Sequence, residues 1–306
     1  MANSLANFSA DILAQEMVPA LRNTLPSLTQ SGIAVDFSNE IVGGGKVVKS
    51  SFVSGLSAST YSSGYTSASA ASTAVSVTLG ESTYVQIELT PGEAIEYTVQ
   101  KVQREFAPAM ATAVVEKMFT DLFGLVTETN LGVGATKETV SGISALARSN
   151  VVSLAKKATK AKFKPQGRTL WLSADANAAL VGDNTVAQQY SIGDNSVIRN
   201  NQVGRLAGFD TYETNILGTS LYKTAQTLHG FAATRGAFGI ASRRPEVALN
   251  TSANVAVAVE PDSGFNFAVT TFWDPISGKH YLRAEWVYGV ALANKNAIIP
   301  IVDTAA

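Results

Sequence analysis

The stretch RTLWLSADANAAL, residues 168–180, combines a short apolar run with a short alanine-rich run. RTLWLS at 168–173 predicts a buried strand, because it is a brief apolar segment without glycine or proline. ADANAALV at 174–181 predicts a short helix that follows the strand directly. A strand and a helix in immediate succession are the first indication that the chain mixes both kinds of element.

Predicted strands dominate the chain on the carboxyl side of this stretch. Residues 182–203 are polar and predict a long surface loop, and GRLAGFDTYETN at 204–215 turns through glycines into a strand. HGFAATRGAFGIASRRP at 229–245 predicts a strand that leads to a short helix ended by Pro245. The pattern favours an α+β chain with its strands grouped towards the end.

The final segment predicts antiparallel strands. FNFAVTTFW at 265–273 and HYLRAEWVYGVAL at 280–292 are joined by DPISGK at 274–279, which has the composition of a turn. AIIPIV at 297–302 predicts a last strand. Pro300 favours an edge position or a strand end for it, because proline cannot donate a backbone hydrogen bond to a neighbouring strand.

Helical spacing marks the region on the amino side of 168–180. Residues 92–107 are amphipathic. Pro108 then predicts a break or a kink, because proline is tolerated in the first turn of a helix and not in its interior. A second helix is predicted from Pro108 to Phe123 and a third over 141–160. The apolar stripe of the second helix is interpreted as packed core.

The front of the chain contains two alternating segments and a long uncharged stretch. VSVTL at 75–79 and VQIEL at 85–89 alternate apolar and polar residues, so they predict a hairpin with one half-buried face. Between Lys49 and Glu81 there is no charged residue, and serine is frequent. Small polar residues are typical of flexible linkers, yet the neighbouring strands indicate a loop that is anchored in β structure.

Charged residues make up 15% of the 306-residue chain, against about 25% in a typical soluble domain. Two interpretations stay open: much of the surface is buried against other subunits, or it is covered by Ser, Thr, Asn and Gly. The net charge of −1 by itself favours no polyanion, membrane or acidic partner. No apolar run approaches the length of a membrane span, and the first residues predict no signal peptide, so we expect the chain to act in a cytoplasm.

Residues with catalytic or metal-binding chemistry are sparse. There is no cysteine, and His229 and His280 are the two histidines, so no metal site is predicted. The sequence contains no G-x-S-x-G motif, and GVGATK at 132–137 lacks the spacing of a phosphate-binding P-loop. We therefore predict no catalytic residue, no cofactor and no enzyme activity.

One basic segment lies immediately upstream of the predicted strand at 168–173. Its cations are Arg148, Lys156, Lys157, Lys160, Lys162, Lys164 and Arg168, and no acidic residue lies between them. The plainer interpretation is a solvated helix face; the functional one is a patch that meets nucleic acid or an acidic protein segment. Phe163 is the one aromatic residue of the segment, which disfavours sequence-specific or single-strand recognition.

Three phrases of the sequence resemble one family. RTLWLSADANAAL is followed by VGRLAGFDTYETNIL at 203–217, and EWVYGVALANKNAIIPIVD lies at 285–303. This succession resembles the major capsid (coat) proteins of tailed bacteriophages, which have the Hong Kong ninety-seven capsid fold. One departure is Asp-Thr-Tyr at 210–212, where a bulky β-branched residue is common in the family.

The resemblance covers nearly the whole chain and implies an α+β capsid fold with four parts. They are an N-terminal arm at 1–44, an extended β loop at 45–89, a peripheral domain with a long spine helix and long strands at 90–135 and 246–306, and an axial domain at 136–245. The uncharged stretch is then the body of the extended loop. We expect that loop to lie over a neighbouring subunit, with Phe52, Tyr61 and Tyr65 as contacts.

The resemblance also implies a function and partners. Copies of the chain would assemble as hexamers and pentamers into an icosahedral shell, with the help of a separate scaffolding protein and a portal protein. The shell would enclose double-stranded DNA without sequence specificity, would involve no membrane, and would be assembled in the cytoplasm of a host bacterium. The alternatives are a bacterial nanocompartment shell of the same fold and, from another class, a phage tail or adhesin protein.

Overall fold

The computed structural model describes residues 14, 17–18, 32–37, 46–53, 60, 72–80, 82–91, 93, 99–183, 204–243, 254–259 and 266–304. These residues form fifteen strands, numbered β1 to β15 in chain order, which are arranged in three sheets. One long helix, α1 (Val99–Phe123), packs against two of the sheets. The predicted α+β class is confirmed.

The first sheet is built around one very long strand, β14. Its members are β1 (Ala34–Asp36), β4 (Thr83–Leu89), β11 (Phe238–Arg243), β12 (Asn254–Val259), β13 (Asn266–Asp274) and β14 (Lys279–Leu292). Strand β13 pairs with one side of β14, while β4 and then β11 pair with successive halves of its other side. The predicted pair of strands at 265–273 and 280–292 and the turn between them are confirmed.

The second sheet contains the RTLWLS strand. Its members are β5 (Glu138–Val140), β6 (Arg168–Ser173), β7 (Arg205–Leu206), β8 (Phe209–Thr214), β9 (Leu221–Lys223), β10 (Gln226–Thr234) and β15 (Ile298–Asp303). Strand β6 is buried along its whole length between antiparallel β10 and parallel β8. The helix that follows runs over Ala174–Val181 as predicted, and the hydroxyl of its N-cap residue, Ser173, accepts a hydrogen bond from the Ala176 N–H.

The third sheet is a two-stranded ribbon of β2 (Val47–Val53) and β3 (Ser72–Thr78). The two strands are antiparallel, with Val47 opposite Thr78 and Val53 opposite Ser72. The predicted hairpin between 75–79 and 85–89 is therefore wrong, because β4 pairs with β14 instead. An alternating pattern identifies a strand and its buried face, whereas the choice of partner depends on distant parts of the chain.

Helix α1 runs through Pro108 without interruption, so the predicted break at that residue is wrong. Proline removes one backbone hydrogen bond from a helix, and here the loss is outweighed by the burial of a long apolar face. That face contains Ala107, Met110, Ala111, Val114, Val115, Met118, Leu122 and Phe123, each at most 1% exposed. The predicted packed stripe on this helix is confirmed.

Three further α-helices have bounds that the structure describes: α2 (Glu128–Leu131), α3 (Arg148–Lys160) and α4 (Ala174–Val181). The third predicted helix was expected over 141–160, but a 3-10 turn over Ile143–Ala145 precedes the start of α3. No described residue of 229–243 is helical; the predicted helix there is replaced by strand β11. In β11, apolar residues alternate with glycine and small residues, and the strand pairs with β14. Packing against β14, and not local propensity, therefore makes this segment a strand and not a helix.

Strand β15 lies between β10 and β5, so it is not an edge strand as a whole. Pro300 pairs with Phe231 on β10, but the pairing with β5 begins only at Ile301. The proline therefore has a ladder neighbour on one side only, which explains how a strand inside the sheet accommodates it.

Both faces of the second sheet are covered. On one face, the rings of Phe119 and Phe123 of α1 contact Trp171 of β6, at centroid distances of 6.3 and 5.3 Å. The other face packs against α3 and α4 through Val151, Leu154, Ala158 and their neighbours. Helix α1 also covers the first sheet, so it joins the two sheets through one continuous core.

The two large sheets depart from the predicted division of the chain at two strands. Residues 238–243 were assigned to the axial domain, but β11 pairs within the first sheet with β14. Residues 298–303 were assigned to the peripheral domain, but β15 pairs within the second sheet with β10. The division into an arm, a loop and two domains stays a prediction.

Candidate assembly and polyanion surfaces

The base of the β2–β3 ribbon is packed on one face and open on the other. Val48, Val77 and Leu79 are buried against Phe37 and Ala241. The opposite face is exposed and carries Lys49, Ser51, Ala74, Ser76 and Thr78. The ribbon therefore continues from a small apolar anchor as two strands that, among the strands the structure describes, pair only with each other.

Of the three predicted contact residues, one lies in a described strand. Phe52 occupies a position in β2 opposite Thr73. Tyr61 and Tyr65 lie outside the described residues. Their role as subunit contacts stays a prediction.

Glycine lets the ribbon base cross the first sheet. A Cβ atom at Gly289 of β14 would collide with the carbonyl of Thr78, and one at Gly239 of β11 would lie 2.5 Å from Cε2 of Phe37. The Gly80 N–H donates to the carbonyl of Tyr288 at 3.0 Å. The glycine within EWVYGVAL thus has a physical reason, which is the close approach of a second backbone.

The turn between β13 and β14 displays two large apolar side chains that the sequence reading did not single out. Trp273 is 52% exposed and Ile276 is 95% exposed. The Asp274 carboxylate accepts hydrogen bonds from Ser277 Oγ at 2.7 Å and from the Ile276 N–H at 3.0 Å. These bonds, that of Ser277 foremost, lower the pKa of Asp274 and hold the turn in one conformation. The sequence signal that could have identified this exposed site is the single isoleucine inside the polar turn DPISGK.

The outer face of the first sheet is a polar and aromatic surface. The Arg283 guanidinium lies 5.2 Å from the ring centroid of Phe272 and 5.6 Å from that of Tyr84, and it donates to Gln86. The ring of Tyr281 stacks on Phe272 at 5.1 Å. These contacts join side chains of β4, β13 and β14 across the sheet.

Two of the seven predicted patch cations serve the fold instead. Arg168 is 7% exposed, and its guanidinium donates to the carbonyls of Phe163 at 2.7 Å and Lys164 at 2.9 Å. Lys157 Nζ lies 2.6 Å from the carboxylate of Glu138, which is buried. Arg168 therefore caps the chain beyond α3, and Lys157 neutralises a buried acid.

The other five predicted cations are exposed: Arg148, Lys156, Lys160, Lys162 and Lys164. Arg148 begins α3 and Lys160 ends it, which separates their backbones by about 18 Å. The structure brings two further cations, Arg235 and Lys295, to the carboxyl end of this helix, where they line clefts with Lys160, Lys162 and Lys164. Sequence reasoning missed both, because each is distant along the chain.

Within the described ranges, no group of three or more His, Cys, Asp and Glu side chains could hold a metal ion. Among the described helices, none has both the length and the apolar character needed to cross a membrane. His229 Nε2 lies 3.6 Å from Asp303 Oδ2, and His280 pairs with Trp273 across β13 and β14.

The chain was compared with known proteins. No protein-family model matches it, and no curated protein matches it. Solved structures match along most of its length. A structure of Mycobacterium phage Che8 is 19% identical, with a TM-score of 0.58, and the match covers 84% of this chain and 85% of that one.

Two further structures extend the comparison. The capsid of Cyanophage P-SCSP1u is 12% identical, with a TM-score of 0.63, and the match covers 90% of this chain and 88% of that one. A virus-like particle from Pyrococcus furiosus is 8% identical, with a TM-score of 0.54, and the match covers 98% of this chain and all of that one. The chain therefore has the capsid fold of tailed bacteriophages, as the sequence resemblance implied.

Proposed function

We propose that this chain is the major capsid protein of a tailed bacteriophage. Its copies associate as hexamers and pentamers into an icosahedral shell that encloses the double-stranded DNA genome. The protein is structural rather than enzymatic, and its place in the mature particle is the virion shell. The observation that carries this proposal is the joint presence of the capsid fold and of a ribbon that pairs with no other strand of the described chain.

The ribbon supports assembly because it lacks a core of its own. A two-stranded hairpin is at best marginally stable in water without a further layer. Here the described apolar anchor is confined to the base, around Val48 and Val77, while Ser51, Ala74 and Ser76 are exposed. Apart from Lys49, this face carries small uncharged side chains, which suit a site that a neighbouring subunit covers, since charge is depleted in interface cores. Phe52, Tyr61 and Tyr65 are the proposed anchors on that neighbour.

The β13–β14 turn offers a second contact. Trp273 and Ile276 are exposed on a turn whose backbone is fixed by Asp274. Large apolar side chains on a rigid support are the residue type that dominates interface energies. In this proposal the turn packs on a neighbouring subunit and excludes water from both side chains.

The remaining partners follow from the same proposal. The N-terminal arm reaches a neighbour or a separate scaffolding protein during assembly in the host cytoplasm. A portal protein occupies the site where DNA enters. The basic residues around the end of α3 face an acidic partner.

The test is negative-stain electron microscopy of the purified full chain, alone and with candidate scaffolding proteins. Closed icosahedral shells support the proposal, whereas tubes or fibres would favour a tail or adhesin protein. The content of shells produced during infection separates a capsid, which holds DNA, from a nanocompartment, which holds an enzyme.

Deletion of residues 57–72 tests the ribbon specifically. The variant should unfold at the temperature of the unaltered chain and should form no shells, because the deleted segment contacts a neighbour and not its own core. Replacement of the same residues by a Gly/Ser segment of equal length is the control for loop length, and it should also fail to assemble because it lacks Tyr61 and Tyr65. Normal shells from either variant would refute the role of the ribbon.

A further inference from the structure

Just beyond the carboxyl end of α3, a lysine takes a backbone conformation that glycine usually adopts. The helix closes in a Schellman arrangement, in which the Phe163 N–H donates to the Ala158 carbonyl and the Lys162 N–H donates to the Thr159 carbonyl. The residue that must take the left-handed conformation there is Lys162, with a φ of 61°. Glycine or asparagine is the usual choice, because other side chains are strained in this region.

The lysine at this position is not required to cap the helix. The carbonyls of Lys157, Ala158 and Thr159, in the last turn of the helix, already accept backbone hydrogen bonds. The Arg168 guanidinium bonds the carbonyls of Phe163 and Lys164 just beyond the helix. Phe163 is buried over Ala158, as the motif requires. Glycine at 162 would serve the fold at least as well, so the end of the helix does not account for a lysine at this position.

Lys162 lies between two open clefts. One, of about 370 Å³, is lined by Lys160, Lys162 and Lys295. The other, of about 880 Å³, is lined by Lys162, Lys164 and Arg235, together with Asp36. Because Lys162 borders both clefts, the five cations form one continuous surface, called here the five-cation surface.

The chemistry of this surface favours phosphate over protein. Among the described residues that line the clefts there is no aromatic side chain; Leu131, Ile298 and Ile299 are buried, and Val35 is half-buried. A protein partner needs apolar or aromatic contacts at the centre of its interface, and this surface presents no aromatic and no fully exposed large aliphatic side chain. Duplex DNA needs only cations for non-specific binding, since it carries one negative charge per about 1.7 Å of its axis.

We propose that the five-cation surface binds the phosphate backbone of packaged duplex DNA and that this side of the subunit therefore faces the interior of the shell. The inference rests on the proposed function and identifies where on the chain the genome makes contact. Binding is independent of base sequence, because contacts to phosphate groups carry no sequence information. Asp36 limits the approach of phosphates at one end of the larger cleft.

Lys162→Gly is the decisive variant, because it removes the cation and relieves the backbone. Its thermal unfolding midpoint should equal or exceed that of the unaltered chain. Binding of the unassembled full chain to a random-sequence duplex of about 30 base pairs is followed by fluorescence anisotropy across a salt series. The slope of log K against log salt should fall by about one for this variant and by about three for Lys160→Gln, Lys162→Gly and Lys164→Gln combined.

Lys117→Gln is the matched control, since Lys117 is an exposed lysine on α1 that pairs with Asp121 and lines neither cleft. It should leave the salt slope unchanged. An unchanged slope for Lys162→Gly, or an equal fall for Lys117→Gln, would overturn the inference. So would tighter binding of polyglutamate than of the duplex, which would assign the surface to an acidic protein.

Electron microscopy of the same variants separates this inference from the proposed function. If the triple variant forms normal shells that retain less DNA, both the proposed function and the inference are supported. If the unaltered chain forms no shells while the duplex measurements behave as expected, the proposed function fails and the polyanion site stands. If shells form and the variants bind the duplex as tightly as the unaltered chain, the proposed function stands and the inference fails.

Discussion

The β2–β3 ribbon and the β4–β14–β13 part of the first sheet use the same backbone pattern with different results. Both are antiparallel, and β2, β3 and β4 each contain seven residues. The buried face of the sheet carries Phe267, Leu282 and Trp286, all at 0% exposure, under helix α1. The ribbon has a few small aliphatic side chains at its base. The comparison teaches that the second layer, and not the ladder of hydrogen bonds, makes a strand pair independently stable.

The largest loss of folding stability is expected from a substitution that removes part of that second layer. Trp286→Ala takes away a ring that contacts Phe267 at 4.5 Å and Tyr288 at 4.8 Å between centroids. Loss of a fully buried aromatic side chain should lower the free energy of unfolding by about 3–5 kcal/mol. Urea denaturation of the unassembled chain measures it.

Trp273→Ala is the control for Trp286→Ala, because it changes the same residue type in the same sheet. Trp273 is 52% exposed at the turn, so its removal should cost much less stability. It should instead reduce shell formation if the turn packs on a neighbour. Equal losses of stability for the two tryptophans would remove the basis of the comparison.

A smaller effect is expected where the ribbon meets the sheet. In Gly289→Ala, the added Cβ collides with the Thr78 carbonyl, so β3 must move away from β14. The cost should be about 1–3 kcal/mol, the usual range for overpacking a well-filled site. Hydrogen exchange at the Gly80 N–H, which donates to Tyr288, should become faster.

Gly204→Ala is the matched control for this substitution. A Cβ at Gly204 meets no atom within 4 Å, and its φ lies outside the left-handed region. The control should be neutral or slightly stabilising. If Gly289→Ala leaves both the stability and the exchange rate unchanged, the ribbon base does not depend on close contact with the sheet.

The elements that the sequence predicted well are those decided by nearby residues. The strand and helix over 168–181 and the turn with its two strands over 265–292 follow from local apolar runs and turn residues. The errors arose where distant residues decide. Strand β4 pairs with β14, which is distant along the chain, and β3 pairs with β2 instead of β4. The continuity of α1 through Pro108 is set by the core beneath the helix.

The candidate surfaces show the same limit. The basic segment was visible as a run of charges, but the burial of Arg168 and the ion pair of Lys157 depend on the fold around them. Arg235 and Lys295 join that surface through β10, β11 and β15, which no local pattern connects to α3. Charge composition indicates that a site exists, and tertiary contacts determine which charges belong to it.

Ser76→Glu, on the exposed face of the ribbon, is expected to change the stability of the unassembled chain least. It also tests the comparison between ribbon and sheet most directly. Ser76 lies opposite Lys49, so the new carboxylate gains a cross-strand cation, and the stability of the unassembled chain should change by less than about 0.5 kcal/mol. Gln86→Glu is the control, because it places a carboxylate opposite Arg283 on the exposed face of the sheet. If the ribbon is completed by a neighbour, Ser76→Glu should reduce shell formation, since the contact must then desolvate the new carboxylate together with Lys49, while Gln86→Glu should not. Shells of normal yield from Ser76→Glu would mean that the ribbon face stays in solvent and is stabilised by its own strands alone.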